Sequence, residues 1–145
     1  MVLMELGTFG AILRFGLELE DRAAQFYEQG AQGELAALFQ ELGQGARKRL
    51  RRLEQARREG VTEMILESIS GLDGETYRLE LDAGDSEAGR LEQAQALEGR
   101  AAQFYQDAAA KLPIREVARL FTQLAQENRR RGERISEVAR ERGSE

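Results

Sequence analysis

The chain has 145 residues, enough for one domain around a single core, and its 41% hydrophobic and 32% charged content is that of an ordinary soluble globular protein. It contains no Cys and no His, which removes disulfides, thiolate nucleophiles, cysteine-ligated zinc or iron–sulfur centres, imidazole ligands and the usual neutral-pH proton shuttle. The net charge of −5 argues against a nucleic-acid partner, no apolar run approaches the ~20 residues of a membrane span, and Met1 to Leu6 lack the basic flank of a secretory signal. A cytoplasmic protein is expected.

A single Pro and the weight of Ala, Leu, Glu, Gln and Arg favour helix throughout. The first predicted helix runs from about Glu5 to Glu28, with Phe9, Leu13, Ala23 and Tyr27 on one stripe. Gln29-Gly30-Ala31-Gln32-Gly33 breaks it. The second runs from about Glu34 to Glu59 on Leu35, Phe39, Leu42, Leu53 and Ala56, with Gly60 as a C-terminal cap. Residues 61–84 lack helical periodicity: Gly71-Leu72-Asp73-Gly74 is turn chemistry, and Met64, Ile65, Leu66, Ile69 and Leu72 need an apolar surface to lie on. Asp85 or Ser86 can cap the third helix, which extends to about Lys111 with Leu91, Ala94, Ala101 and Tyr105 inward. Pro113 suits the first turn of the fourth, which continues to about Arg140 on Val117, Phe121, Leu124, Ile135 and Val138.

The chain also repeats itself. Leu19-Glu20-Asp21-Arg22-Ala23-Ala24-Gln25-Phe26-Tyr27 returns 78 residues later as Leu97-Glu98-Gly99-Arg100-Ala101-Ala102-Gln103-Phe104-Tyr105. Leu38-Phe39-Gln40-Glu41-Leu42-Gly43 and Leu120-Phe121-Thr122-Gln123-Leu124-Ala125 follow the two copies. Two short loops and one long connection, about residues 60–85, predict a single domain over residues 1–145, built as two antiparallel helical hairpins joined by a crossover. Arg47-Lys48-Arg49-Leu50-Arg51-Arg52 and Arg129-Arg130-Arg131 are basic locally, yet Glu41, Glu54, Glu59, Glu127, Glu133 and Glu137 surround them. Solvated faces with i,i+4 ion pairs account for these runs, since no aromatic platform is interleaved.

Each copy places a glutamate on a core stripe. The first stripe reads Phe9, Leu13, Gly16, Glu20, Ala23, Tyr27, and the third-helix stripe reads Leu91, Ala94, Glu98, Ala101, Tyr105. An unpaired buried carboxylate costs several kcal/mol, so something positive should face Glu20 and Glu98. Tyr27 and Tyr105 read as core aromatics whose hydroxyls need a partner.

Glu-x-x-Ala-x-x-Phe-Tyr at Glu20 to Tyr27 and Glu98 to Tyr105, Leu-Phe-x-x-Leu-(Gly/Ala) at Leu38 to Gly43 and Leu120 to Ala125, and the connection Met64 to Asp73 together resemble the rubrerythrin-like branch of the ferritin superfamily over nearly the whole chain. The resemblance implies an all-α, ferritin-like four-helix bundle and a homodimer. It also implies a di-iron centre held by the helix-one and helix-three glutamates and by Glu-x-x-His on helices two and four. In this chain those slots hold Ala46 and Arg49, and Asn128 and Arg131, so that only Glu20 and Glu98 of the implied ligand set remain. Arg49 lies on the stripe between Ala46 and Leu53, and Arg131 between Asn128 and Ile135. A guanidinium matches a carboxylate in a fork, and the expectation is that Arg49 and Arg131 fill the space of the metals and neutralise Glu20 and Glu98. In the alternative, both arginines lean out to solvent on apolar stems and Leu50 packs inward.

The function expected is a ferritin-like domain without its metal centre, with no cofactor and no catalytic residue, persisting as a structural, binding or regulatory module. Neither nucleic acid nor membrane is expected as a partner. One alternative is a di-iron or di-manganese peroxidase or oxidase with an all-oxygen site from Glu20, Glu98 and, for example, Glu127, which lies about 100° off the stripe. Another is a module whose arginines bind a small carboxylate or phosphate.

Overall fold

A computed structural model describes residues 6–60, 69, 71–82 and 86–143. Four long helices account for most of them: α1 (Phe9–Gln29), α2 (Ala36–Gly60), α3 (Glu87–Ala109) and α4 (Arg115–Gly143). Short 3-10 turns at Gly33–Leu35 and Gly74–Tyr77 precede α2 and interrupt the crossover. Among the described residues no helix is long and apolar enough to cross a membrane.

The helix ends follow local chemistry. The Thr8 hydroxyl accepts from the Ala11 amide at 3.0 Å, so α1 starts at Phe9 rather than near Glu5. Ser86 caps α3 by accepting from Gly89 at 3.1 Å; Asp85 lies outside the described residues. Pro113 precedes α4 instead of sitting in its first turn, because the Ile114 carbonyl accepts the first helical bond, from Ala118. Helix α3 ends at Ala109, short of Lys111, while α4 continues past Arg140 to Gly143. Gly60 is the last residue of α2. In the crossover, Asp73 accepts from the Glu75 amide and Gly71 takes φ +88°, so Gly71-Leu72-Asp73-Gly74 does turn the chain. Ile69 and Leu72 are buried there; Met64, Ile65 and Leu66 lie outside the described residues.

Helices α1 and α2 form one antiparallel hairpin, and α3 and α4 the other. The apolar interior is divided. One cluster holds Phe9, Ile12, Leu13, Leu53, Phe104, Tyr105, Phe121 and Leu124, and the other Ala23, Tyr27, Phe39, Leu42, Ala46, Leu91, Leu97 and Ile135. On every helix the switch from one cluster to the other falls at the polar positions: Glu20 on α1, Arg49 on α2, Glu98 on α3, and Asn128 with Arg131 on α4. A polar layer therefore crosses the bundle at mid-height.

Several of the outer charges pair between helices. Arg47 on α2 bridges Asp21 and Glu28 on α1, at 3.1 and 2.9 Å. Arg52 meets Glu127 at 3.2 Å and Arg134 meets Glu41 at 2.6 Å, both across the α2–α4 seam. Their exposure limits each to about 0–1 kcal/mol.

Candidate functional site

Glu20 follows Gly16 by four residues and precedes Ala23 by three, which puts all three on the inward stripe of α1. Glu98 takes the same place on α3, and both glutamates are 2% exposed. Arg49 enters from α2, where its Nε donates to Glu20 Oε1 at 3.0 Å. Gly45, one turn earlier, leaves room for it: a Cβ there would stand 3.0 Å from Arg49 Nη1. Arg131 enters from α4 and donates from Nε to Glu98 Oε1 at 2.9 Å. The same oxygen accepts from Asn128 Nδ2 at 2.8 Å. Leu50, the residue that would turn inward if the arginines leaned out, is half-buried.

The tyrosines complete the layer by crossing between the repeats. Tyr105 on α3 donates to Glu20 Oε2 on α1, and Tyr27 on α1 donates to Glu98 Oε2 on α3, each at 2.5 Å. Contacts in reversed order along the two helices show that α1 and α3 run antiparallel, related by the pseudo-two-fold of the duplication. Each copy thus finishes the other's buried carboxylate.

Burial pushes the Glu20 carboxyl above its ordinary range, and the Arg49 charge and the Tyr105 bond offset this only in part. Burial also works against the Arg49 cation, but Glu20 and Glu98 outweigh it and raise its pKa. Tyr27 and Tyr105 are held well above the usual phenol range, first by burial and then by the carboxylates they touch. Both phenols therefore remain protonated donors.

The donor set does not fit the di-iron centre that the resemblance implies. Position 46 offers a methyl, position 128 an amide that donates to Glu98, and positions 49 and 131 cations. Every oxygen of Glu20 and Glu98 already accepts a protein hydrogen bond, two of them from guanidinium. Glu127 is not brought to the layer; its carboxylate lies against Arg52. Among the described residues no three acidic side chains gather into a metal-binding group.

A model of a ferritin-like domain matches residues 10–132. The chain belongs to the ferritin-like domain family. No curated protein and no solved structure matches it. The matched span holds the whole polar layer of this ferritin-like domain and stops within α4, just past Arg131.

Three features of the ferritin-like domain were not anticipated from sequence. The crossed tyrosine–glutamate bonds had a signal, because Glu and Tyr are seven residues apart, two turns on one face, in both copies. Asn128 as a donor to Glu98 had none beyond its polarity on a core stripe. Arg90, 7% exposed, sits against the end of α1, where a Cβ on Gly30 would meet its Cδ at 3.1 Å. No periodicity marks that contact.

Proposed function

We propose that this ferritin-like domain is of the rubrerythrin-like kind and has lost its di-iron centre, with Arg49 and Arg131 standing where metal cations would otherwise balance Glu20 and Glu98. It acts as a non-catalytic structural, binding or regulatory module, cytoplasmic and homodimeric. The observation that carries this reading is the buried Arg49–Glu20 pair, 5% and 2% exposed, in the layer that divides the two apolar clusters. A guanidinium there balances the charge of the carboxylate without a metal.

The all-oxygen oxidoreductase reading loses Glu127 as a further ligand, since its carboxylate faces Arg52, and among the described residues no group of three acidic side chains gathers to replace it. The small-anion reading competes with the internal carboxylates, which already hold the Nε edge of both arginines. Elemental analysis of purified protein, after mild chelation, tests the proposal. Iron, manganese and zinc are expected well below one atom per chain; one or more retained per chain would contradict it.

A further inference from the structure

The chain's oxidisable side chains are few: three Tyr, three Met, and no Trp, Cys or His. The methionines are at positions 1, 4 and 64, outside the described residues. Every tyrosine donates its hydroxyl to a carboxylate: Tyr27 to Glu98, Tyr105 to Glu20, and Tyr77, from the crossover, to Asp107 Oδ2 at 2.6 Å. The third pair differs from the other two in one respect. Glu98 and Glu20 are each committed to a guanidinium, and moving a proton onto either would strand a buried cation. Asp107 has no ion pair among the described residues; its second oxygen accepts only from Gln103, at 2.7 Å.

A small slot also adjoins Tyr77. Tyr77 lines this slot of about 40 Å³ together with Phe15, Leu79 and Leu97, with Arg22 and Arg78 beside them. Phe15 and Phe104 stack edge-on against the ring, with centroids at 6.3 and 5.4 Å, and leave the residue 4% exposed.

We propose that Tyr77 and Asp107 form a regenerable one-electron, one-proton donor that quenches small oxidising oxygen- or nitrogen-centred radicals entering this slot. The radical takes one electron from the phenol and leaves as its anion. The phenol proton passes along the existing hydrogen bond to Asp107, leaving a neutral phenoxyl radical beside a carboxylic acid. A thiolate or ascorbate-class reductant then returns one electron, becoming a radical itself, and Asp107 returns the proton. Burial, the Asp107 bond and the charges of Asp107 and Asp73 hold the Tyr77 hydroxyl above the ordinary phenol range. At neutral pH the phenol therefore starts as a protonated donor to Asp107.

The test uses photogenerated tris(bipyridine)ruthenium(III) as the oxidant on the full chain, with the radical trapped by freezing and read by electron paramagnetic resonance. Tyr77→Phe should lose most of the tyrosyl signal, while Tyr27→Phe and Tyr105→Phe keep it. Oxidation of the parent should slow several-fold in heavy water, and Asp107→Asn should lower the rate while Asp107→Glu restores it. Circular dichroism checks that each variant is folded. If Asp107→Asn does not fold, the isotope effect and Tyr77→Phe decide the matter. A signal that survives Tyr77→Phe, or parent oxidation with no isotope effect, overturns the proposal.

Discussion

Glu20 takes one bond from a guanidinium and one from a phenol, and the residue one turn from its arginine is Ala46, a methyl. Glu98 takes the equivalent two bonds and a third from Asn128, which replaces that methyl in the second repeat. The arginines differ as well: Arg49 is 5% exposed and Arg131 17%. One duplicated backbone therefore solves one problem, a buried carboxylate, in two ways. The first half uses a deep cation alone, and the second combines a shallower cation with an amide. What the fold requires at this height is a neutralising charge and enough donors to fill the lone pairs, not one particular side chain.

The largest expected effect is on stability, and it should differ between the halves. Glu20→Ala strands Arg49 in the interior and should cost about 3–5 kcal/mol. Glu98→Ala should cost less, about 1–3 kcal/mol, because Arg131 can swing its guanidinium outward on its stem. Urea denaturation of both variants measures the difference, and equal losses would break the comparison.

A second contrast is in pH dependence. The folded-state pKa of Glu20 lies above its ordinary 4.5, so its contribution to stability is complete below that value and is lost as pH rises through the folded pKa. Glu28 and Glu41 are lowered by hydrogen bonds from Arg47 and Arg134, so their contributions are present above 4.5 and lost as pH falls through the lowered values. The stability of the parent relative to Glu20→Gln should therefore decline as pH rises from 4.5. A difference that is flat or grows with pH contradicts the assignment.

The smallest effect sharpens the role of the amide. Asn128 donates to Glu98 but leaves its own Oδ1 buried without a protein partner. Asn128→Ala removes a good bond and an unsatisfied acceptor together, so its cost should stay below about 1 kcal/mol. A thermal melt of this variant should lie close to the parent. A loss comparable to that of Glu98→Ala would show that the amide, not Arg131, carries the second half.

Much of this was legible in the residues. The 3–4 spacing of Phe9, Leu13, Phe39, Leu42, Phe121 and Leu124 located the helices, and all six are buried. The repeated stripe places Glu20 and Glu98 inside, and a buried anion demands a cation, which Arg49 and Arg131 on the facing stripes can supply. Three things were less accessible. Helix ends depend on single hydroxyls and carbonyls, as at Thr8 and Ile114, and carry little periodic signal. Several surface pairs join different helices, as Arg52 joins Glu127 and Arg134 joins Glu41, so those partners cannot be read along one helix. The crossed tyrosine bonds require the two-fold relation of α1 and α3, a tertiary fact that seven-residue spacing only permits.

The central claim is that two guanidiniums occupy a metal site whose backbone is intact, and rebuilding the site tests it most directly. Ala46→Glu, Arg49→His, Asn128→Glu and Arg131→His together remove both cations and place two Glu-x-x-His motifs opposite Glu20 and Glu98. The metal-free variant should melt below the parent, because four clustered carboxylates repel one another. Adding ferrous iron or manganese should raise its melting temperature, since a ligand bound only by the folded state stabilises it, and should leave the parent unchanged. A parent that is itself stabilised by stoichiometric metal, or a folded variant that does not respond, would contradict the account.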